Sequence, residues 1–399
     1  MSLRTTPFHS RTGPLSEGQA WRRWAGYVVA SSYELSHDRE YHAIRNAAAL
    51  FDVSPLYKYL ITGRDASRLL DHVVTRNVGK AKVGQVLYTP WCDNDGKQID
   101  DGTISVLGEQ RFRMTSADPT LRWLHLNSRG LEVAIEDVSD RTAALSLQGP
   151  SSREILQLAA ERDLSGLKYF RLTDAKIRGI PVTISRTGYT GDLGYEVWVD
   201  ATQAVPVWDA LIEIGTAYGI TPAGMLALDV ARIEAGLLLI EVDYFSSRHA
   251  LIEAQKSSPL ELGLGWTVAT DKERYNGQAA LEAERMGGGP SWQFTGLTVD
   301  WDSLERLYAE VGLPPRLPTQ AWRASVPIYD RGGNRQVGYA TSGGWSPLLK
   351  RYMALAHLGS DSAAPGTEVR MEVTVEHHRK QATAHVTPLP FFNPDRKRA

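Results

Sequence analysis

Two acidic residues, Asp100 and Asp101, are adjacent on the second strand of a predicted hairpin. Its strands, Val86–Trp91 and Gln98–Val106, are joined through Asn94-Asp95-Gly96, a turn sequence that favours a hairpin. Because neighbouring residues of a strand face opposite sides, one carboxylate can enter a cavity while the other meets solvent or caps a turn. A carboxylate in a cavity is a candidate catalytic group, although paired aspartates after a turn are also common in solvated loops.

A second hairpin is predicted, in which a glycine-rich loop, Gly188–Gly194, joins the strands Pro181–Arg186 and Gly194–Val199. The second of these strands carries Glu196 and Trp198. Glycine lets the backbone approach a flat ligand closely. Alternation places Glu196 and Trp198 on one face of the strand and Tyr195 on the other. A carboxylate beside an aromatic ring can accept two hydrogen bonds from a planar amidine-like heterocycle such as a pterin. A half-buried strand with an exposed glutamate is the alternative.

A helix is predicted over Thr221–Val242, and it carries Asp229 and Arg232. Thr221 can cap this helix, and Pro222 suits its first turn. Its apolar face consists of Leu226, Val230, Ile233 and Leu237, which follow helical spacing. Asp229 and Arg232 are i,i+3 partners and are compatible with a simple surface pair.

Several kinds of chemistry are disfavoured by what the sequence lacks. It contains no phosphate-binding loop and no dinucleotide-binding glycine fingerprint. The ten histidines are scattered, and the adjacent His377 and His378 would face opposite sides of a strand, so we predict no metal site. The lone cysteine, Cys92, is a weak nucleophile candidate and cannot form an internal disulfide, which favours a reducing compartment.

The composition is that of an ordinary globular protein. The 399 residues carry a net charge of −2, and 42% of them are hydrophobic. No basic excess favours nucleic acid or an anionic membrane as a partner. No apolar run reaches the roughly 18 residues of a membrane span, and residues 1–13 do not resemble a secretory signal. We therefore expect a soluble cytoplasmic protein of two or three domains, with a solvated basic tail at Arg396–Arg398.

The clearest domain boundary is the glycine-rich segment Met286–Pro290, which interrupts regular structure. Before it, strands and helices are mixed. The β-type runs after it are Phe294–Val299, Ala324–Tyr329, Gln336–Thr341, Glu368–Val375 and Gln381–Val386. Their spacing predicts an all-β barrel or sandwich. The sequence thus predicts an α+β chain with a mixed region at 1–286 and a β-domain at 290–399.

Several motifs follow one another in an order that is typical of one family. They are FDVS at 51–54, Tyr88-Thr89, Ile99–Asp101, LQGP at 147–150, GYTGDLGYE at 188–196, RIEAG at 232–236, SPLELGLGW at 258–266, TSGGWSP at 341–347 and LPFF at 389–392. This series resembles the glycine-cleavage T-protein or aminomethyltransferase family of folate-dependent one-carbon transferases. The resemblance covers about residues 40–392, which is nearly the whole chain.

The resemblance implies a three-lobed ring, in which two mixed α/β lobes and a C-terminal β-barrel surround a channel for tetrahydrofolate. By motif position, Asp100 rather than Asp101 is the catalytic carboxylate near N5 of the pterin, where its charge would stabilise developing positive charge. Glu196 matches the acid that holds the pterin edge. The other implied folate-binding residues are Tyr88, Tyr169, Tyr189, Tyr195 and Arg232.

Positions on the expected donor side depart from the family pattern. Pro55-Leu56 replaces a histidine-methionine pair, Leu228 replaces an arginine, and Tyr244–Ser257 lengthens a link that is usually shorter. Loss of the arginine removes a positive charge and a hydrogen-bond fork, which favours a neutral or aromatic methyl donor. The predicted donor-pocket residues are Tyr57, Tyr244 and Phe245.

Three functions are consistent with this pattern. The favoured one is a tetrahydrofolate-dependent demethylase, which moves a methyl group from a small methoxyaromatic, onium or amine donor to N5 of tetrahydrofolate. The first alternative is an aminomethyltransferase that receives its group from a lipoyl carrier protein. The second is a non-catalytic folate-binding protein, which is disfavoured because Cys92 lacks the lysine-glycine-cysteine context of that branch.

Overall fold

The computed structural model describes residues 3–399. Its α-helices are α1 His9–Leu15, α2 Asp38–Asn46, α3 Ala66–Val73, α4 Leu121–Asn127, α5 Ser152–Ala159, α6 Ala204–Gly215, α7 Met225–Glu234, α8 Gln278–Met286 and α9 Trp301–Ala309. Several are short and bury one apolar stripe, as α5 does with Ile155 and Leu156, because such a stripe must pack against another element. Among the described residues, no helix is long and apolar enough to cross a membrane.

The strands of the same range are numbered in chain order. They are β1 Arg4–Thr5, β2 Trp21–Trp24, β3 Tyr27–Ala30, β4 Ala48–Asp52, β5 Tyr57–Thr62, β6 Val86–Cys92, β7 Gln98–Gly108, β8 Arg111–Ser116, β9 Ala134–Asp137, β10 Thr142–Gln148, β11 Leu172–Ile177, β12 Ile180–Ser185, β13 Gly194–Asp200, β14 Ile220–Pro222, β15 Trp292–Val299, β16 Val326–Tyr329, β17 Gln336–Ser346, β18 Arg351–Gly359, β19 Glu368–Val375 and β20 His378–Thr387. Both hairpins predicted from the sequence, β6–β7 and β12–β13, are present.

Two mixed α/β lobes precede the barrel. The first has a five-stranded sheet in the order β6-β7-β8-β5-β9, and its core contains Tyr59, Leu70 and Met114. The second has a six-stranded sheet in the order β11-β12-β13-β10-β4-β14, and its core contains Leu145 and Val197. Because β4 precedes the first lobe's strands and β10 follows them, the two lobes are interleaved in sequence.

The C-terminal region is a closed barrel in the order β15-β18-β17-β16-β19-β20. The predicted α+β class with a C-terminal barrel is therefore confirmed. One barrel strand, β18, was missing from the sequence-based prediction. Its residues 352–358 are all buried, so it has the continuous apolar character of a strand that is covered on both faces rather than the alternation used to find strands. The boundary at 286–290 stays a prediction; α8 ends at Met286 and β15 begins at Trp292.

The helix predicted over Thr221–Val242 is shorter than expected. Ile220–Pro222 is the edge strand β14, which pairs in parallel with β4, and α7 begins only at Met225. The helix ends at Glu234, and Gly236 has a φ of 63°, the left-handed conformation that typically terminates helices. Thr221 is therefore not the cap, and Leu237 lies beyond the helix.

The two sheets face each other across a space between the lobes. Arg113 of β8 lies with its guanidinium carbon 3.9 Å from the ring centre of Trp198 of β13. These two residues, together with Leu60 and Thr183, line a cleft of about 590 Å³. Hereafter "the cleft" means this space.

Candidate functional site

The carboxylates of Asp100 and Asp101 have different surroundings. Asp100 is fully buried, and its Oδ2 accepts hydrogen bonds from the backbone N–H groups of Ala117 and Asp118 at 3.1 and 3.0 Å. Its Oδ1 accepts a third from the backbone of Asp101 at 2.7 Å. Asp100 thus holds the turn that leads from β8 to α4, which is the capping alternative foreseen for one member of the pair.

Asp101 lies on the opposite side of β7. Ser105, four residues further along this strand, is the cross-strand partner of Arg113, so alternation puts Asp101 on the face that carries Arg113. Tyr88 donates its hydroxyl to Asp101 Oδ2 at 2.8 Å. Tyr244 donates its hydroxyl to Asp101 Oδ1 and lies at the longer distance of 3.4 Å from Asp100 Oδ1. Two tyrosines from distant parts of the chain therefore orient this carboxylate.

Burial raises the pKa of both acids. Burial, followed by the neighbouring charge of Asp101, raises the pKa of Asp100 well above its ordinary value. Burial also raises the pKa of Asp101, but the hydroxyls of Tyr244 and Tyr88 act in the opposite direction because they stabilise the charged form. The two hydroxyls favour the charged form of Asp101, which is the form that can stabilise a cationic centre.

The glycine-rich loop is shaped by Gln148 of the LQGP motif. A Cβ at Gly188 or Gly194 would lie 2.1 Å from Gln148 Oε1, so neither position accepts a side chain. Gln148 Nε2 donates to the carbonyl of Thr187 at 3.2 Å. The absence of a Cβ at these glycines therefore makes room for the side chain of Gln148, and not for the flat ligand that the sequence suggested for the loop.

Glu196 is half-buried on β13 and receives a hydrogen bond from the Thr187 hydroxyl at 2.5 Å. Burial raises its pKa, while Thr187 and Arg113 counteract that shift. Tyr195 points the other way, into the core of the second lobe. The structure thus separates Tyr195 from the Glu196 face, and its expected place beside the pterin is not supported by this position.

Arg232 is fully buried, and so is its neighbour Asp229, at 3% exposure. The alternative of a surface pair is therefore wrong for these residues. Arg232 forms an ion pair with Asp243, and its Nε lies 3.7 Å from Asp229 Oδ1. Its Nε and Nη2 have no hydrogen-bond partner within residues 3–399. Burial lowers the pKa of Arg232, but nearby Asp243 and Tyr189 outweigh this effect and raise it.

Tyr189 and Tyr169 lie at different places. Tyr189 donates its hydroxyl to the carbonyl of Leu238, and its raised pKa is due first to burial, with opposing electrostatic contributions that include Arg232 and Asp101. It therefore belongs to the same group as those two residues. Tyr169 packs edge-to-face on Phe170 at 4.7 Å and lies beneath the ammonium of Lys397.

The predicted donor-side residues are also dispersed. Tyr244 contacts Asp101, as described, and Tyr57 is half-buried, with burial and then Asp118 raising its pKa. Phe245 is half-buried, and its backbone forms an isolated β-bridge with Lys256. Leu228 packs in an apolar cluster. Of the three candidates, Tyr244 is thus the one that the structure brings to the carboxylate pair.

Sequence reasoning missed Arg113 as a cleft residue. Polar residues that alternate along a strand usually face solvent, and Arg111 does so at an exposed position, but Arg113 is only 6% exposed. The one available signal was that Arg113 lies two residues after Arg111 on a β-type run. This spacing puts both side chains on one face of the strand, but it does not show whether that face meets a cleft or solvent.

Three residues of types that bind metal ions, Asp118, Glu241 and His249, also lie close together, and none of them was a predicted site residue. His249 Nδ1 lies 3.2 Å from Asp118 Oδ2 and 3.3 Å from Glu241 Oε1. Their ligand atoms all lie within 4.8 Å of one another. Glu241 and His249 are exposed, and the contacts form ion pairs when the imidazole is protonated.

The basic tail is bound rather than solvated as expected. Arg396 donates from Nε and Nη2 to the two oxygens of Asp192 at 2.6 and 2.8 Å. Arg45 donates from Nε to Glu234 at 2.9 Å and lies 3.4 Å from Asp192 Oδ2. We call Arg45, Asp192, Glu234 and Arg396 the junction cluster. It joins α2, the glycine-rich loop, α7 and the tail.

Comparison with known proteins agrees with this architecture. Residues 10–272 match the profile of the GCVT N-terminal domain, and residues 311–393 match that of the glycine cleavage T-protein C-terminal barrel domain. A crystal structure of the glycine cleavage system aminomethyltransferase T from Bartonella henselae has a TM-score of 0.82 at 24% identity, covering 98% of this chain and 99% of that one. At that identity, the likeness concerns the fold.

Curated relatives extend over most of the chain. The aminomethyltransferase of Halothermothrix orenii is 36% identical over 88% of this chain and 90% of its own length. That of Moorella thermoacetica is 32% identical over 99% of both. The trimethylamine-oxide aldolase of Ruegeria pomeroyi is 32% identical over 98% of this chain but only 47% of its own length. With both domain profiles matched in order, and with relatives of this identity along nearly its full length, this chain belongs to the glycine-cleavage T-protein family.

Proposed function

We propose that this protein transfers a one-carbon unit to tetrahydrofolate and that its donor is an aminomethyl group on a lipoyl carrier protein. The observation that carries the transfer is the position of Asp101, which is held between the hydroxyls of Tyr88 and Tyr244 on the Arg113 face of β7. The names of most relatives given above, aminomethyltransferases, support the donor.

The residues present fit a reduced pterin. A pterin edge offers N–H donors to a carboxylate and a carbonyl to a guanidinium, and in this proposal Glu196 and Arg232 are the two partners. The unpaired Nε and Nη2 of buried Arg232 are the stronger argument, because a buried donor without an acceptor is costly unless a ligand completes it. Tetrahydrofolate would supply the nucleophilic nitrogen, N5, that accepts the one-carbon unit.

The role of the carboxylate falls to Asp101 rather than to Asp100, which the motif position favoured. Asp100 already accepts three backbone hydrogen bonds, and its carboxylate is fully buried. Asp101 carries its charge on the face of the sheet that bears Arg113. There it would stabilise positive charge as the acceptor nitrogen is alkylated, while Tyr88 and Tyr244 keep it oriented.

Reconstitution tests this function. The protein is incubated with tetrahydrofolate and the aminomethylated carrier, and ammonia and 5,10-methylene-tetrahydrofolate are measured. We expect both products in equal amounts, and their loss in an Asp101→Asn variant that is still folded. No product from a wild-type protein that binds tetrahydrofolate would refute this donor.

A second candidate is a demethylase that uses a free, small methylated donor. One observation favours it: Tyr244, which contacts Asp101, begins the segment 244–257, which makes the link between Asp243 and Pro259 longer than is usual in the family. Aromatic side chains at such a point suit a small donor as well as a lipoyl arm. The two functions differ in product, because a demethylase yields 5-methyltetrahydrofolate and no ammonia.

A further inference from the structure

Arg113 is a buried cation that lacks an ion-pair partner. Its side chain leaves β8 on the cleft face, is 6% exposed and stacks on Trp198. Burial lowers its pKa to about 10, while Glu196 and then Asp174 counteract this effect. Within residues 3–399, however, no carboxylate oxygen lies within the 4.0 Å of an ion pair, and the Nε and Nη2 atoms have no hydrogen-bond partner.

The free edge of Arg113 is the one that binds carboxylates elsewhere in this chain. Nε and Nη2 form a planar fork that matches the two oxygens of a carboxylate. Arg11 uses this edge on Asp209 at 2.7 and 2.8 Å. Arg323 uses it on Asp229 at 3.0 and 2.7 Å, and Arg396 uses it on Asp192 as described. Arg113 presents the same fork with nothing on it.

A buried guanidinium without a carboxylate partner, such as that of Arg113, is energetically unfavourable. An unpaired charge taken out of water is strongly disfavoured, and stacking on one aromatic ring compensates only in part. The side chain lines the 590 Å³ cleft, but Nε and Nη2 themselves have almost no exposed area. A ligand in that cleft therefore reaches the fork when the guanidinium turns toward the cleft.

We infer that Arg113 and Trp198 form a carboxylate-binding subsite in the cleft, with the fork of Arg113 as its anchor and Trp198 as its flat wall. The inference rests on the proposed function for what enters the cleft. Two sources of the carboxylate share this chemistry: the glutamyl part of the folate and a carboxylate on a small amine donor. The subsite makes a planar anionic group, rather than a neutral one, the occupant of this end of the cleft.

Binding measurements with two matched ligand pairs test the subsite. The first pair is tetrahydrofolate and 6-methyltetrahydropterin, which lacks the p-aminobenzoylglutamate. The second is N,N-dimethylglycine and trimethylamine, which lacks the carboxylate. Calorimetry is done on wild type, Arg113→Met, Arg113→Lys and the control Arg68→Met, which removes an exposed arginine on α3 of the same lobe. Circular dichroism and thermal unfolding establish that each variant is folded.

We expect Arg113→Met to weaken the carboxylate-bearing member of one pair by about 10- to 100-fold, as for loss of a charged hydrogen-bond partner. The member without the carboxylate should change less than about twofold, and Arg68→Met should change neither. Arg113→Lys should recover only part of the affinity, because an ammonium cannot form the fork. The pair that responds identifies the source of the carboxylate.

Other outcomes would overturn the subsite. Equal losses for both members of a pair would mean that Arg113 acts through structure alone. Equal affinities of Arg113→Met and Arg68→Met for all four ligands would mean that the fork binds nothing. A wild type that binds no tetrahydrofolate but binds dimethylglycine through Arg113 would refute the proposed function and keep the subsite. A wild type that binds none of the four would refute both.

Discussion

In the junction cluster the guanidinium of Arg45 is surrounded by acceptors, whereas in the cleft that of Arg113 has an empty edge. Both side chains are buried, at 3% and 6% exposure. Arg45 donates to Glu234, to the carbonyl of Thr190 and to the carbonyl of Ala231. Both regions bury an arginine, but the chain supplies hydrogen-bond acceptors to Arg45 and leaves two donor atoms of Arg113 without one.

The difference separates structural charges from binding charges. A charge that only joins parts of a fold finds all its partners within the chain, because any missing partner costs stability. A charge whose partner arrives with a ligand leaves donors unpaired until then. By this criterion we propose that the junction cluster is structural. Arg113 and Arg232, whose Nε and Nη2 atoms form no hydrogen bond among the described residues, are proposed to take part in binding.

The largest expected effect is on stability, from Arg45→Met in the junction cluster. Removing the guanidinium leaves the buried carboxylate of Glu234 without its cationic partner and leaves Asp192 with Arg396 alone, which should lower the free energy of unfolding by about 3–5 kcal/mol. Urea denaturation measures it. The control Arg39→Met removes an exposed arginine of the same helix and should cost about 1 kcal/mol or less. Similar values for the two variants would contradict a structural role for the cluster.

Asp101→Asn should act on turnover instead. The substitution keeps the shape and removes the charge, so kcat should fall about 100-fold or more while the Kd for tetrahydrofolate and the stability stay close to wild type. Asp100→Asn should instead lower stability by about 1–3 kcal/mol, because backbone N–H groups lose an acceptor. Steady-state kinetics and denaturation distinguish the two. A folded Asp100→Asn variant with the larger loss of kcat would restore Asp100 as the catalytic carboxylate.

A smaller effect, on affinity, is expected for Glu196→Ala. If Glu196 binds the pterin edge, its loss leaves ligand N–H groups unpaired and weakens tetrahydrofolate binding by about 1–3 kcal/mol. Calorimetry gives the value, and Glu196→Gln, which keeps one acceptor oxygen, should lose less. Unchanged affinity in both variants would remove Glu196 from the folate site.

The smallest effect is a change in pH dependence, from Tyr244→Phe. The Tyr244 hydroxyl lowers the pKa of Asp101, so its removal should raise that pKa further. In the proposed role Asp101 acts when charged, so activity should be lost as the pH falls through this pKa, and the acidic limb of the kcat profile should move to higher pH. Tyr308→Phe, in the barrel, should leave the limb in place. A limb that moves to lower pH would show that the hydroxyl does not stabilise the charged form.

Much of the fold was predictable because its signals are local. Turn residues and alternation located the β6–β7 and β12–β13 hairpins, and alternation also put Glu196 and Trp198 opposite Tyr195, as the structure has them. Where burial removed the alternation, in β18, prediction failed. At Thr221–Pro222 a favourable helix start lost to sheet pairing with β4, because tertiary contacts outweigh the few tenths of a kcal/mol of local propensity.

The sequence by itself determined which residue types were available: two adjacent acids on one strand, a glutamate after a glycine-rich loop and an arginine on a helix. Tertiary structure alone decided which of the acids is used up by backbone donors and which meets two tyrosines. The backbone partners lie 17 and 18 residues from Asp100, and the two tyrosines lie 13 and 143 residues from Asp101. It also decided that Arg113 is buried against Trp198, on another sheet, and that the tail binds Asp192. Periodicity encodes the side of an element on which a residue lies, but partners that are distant in sequence determine whether its charge is paired.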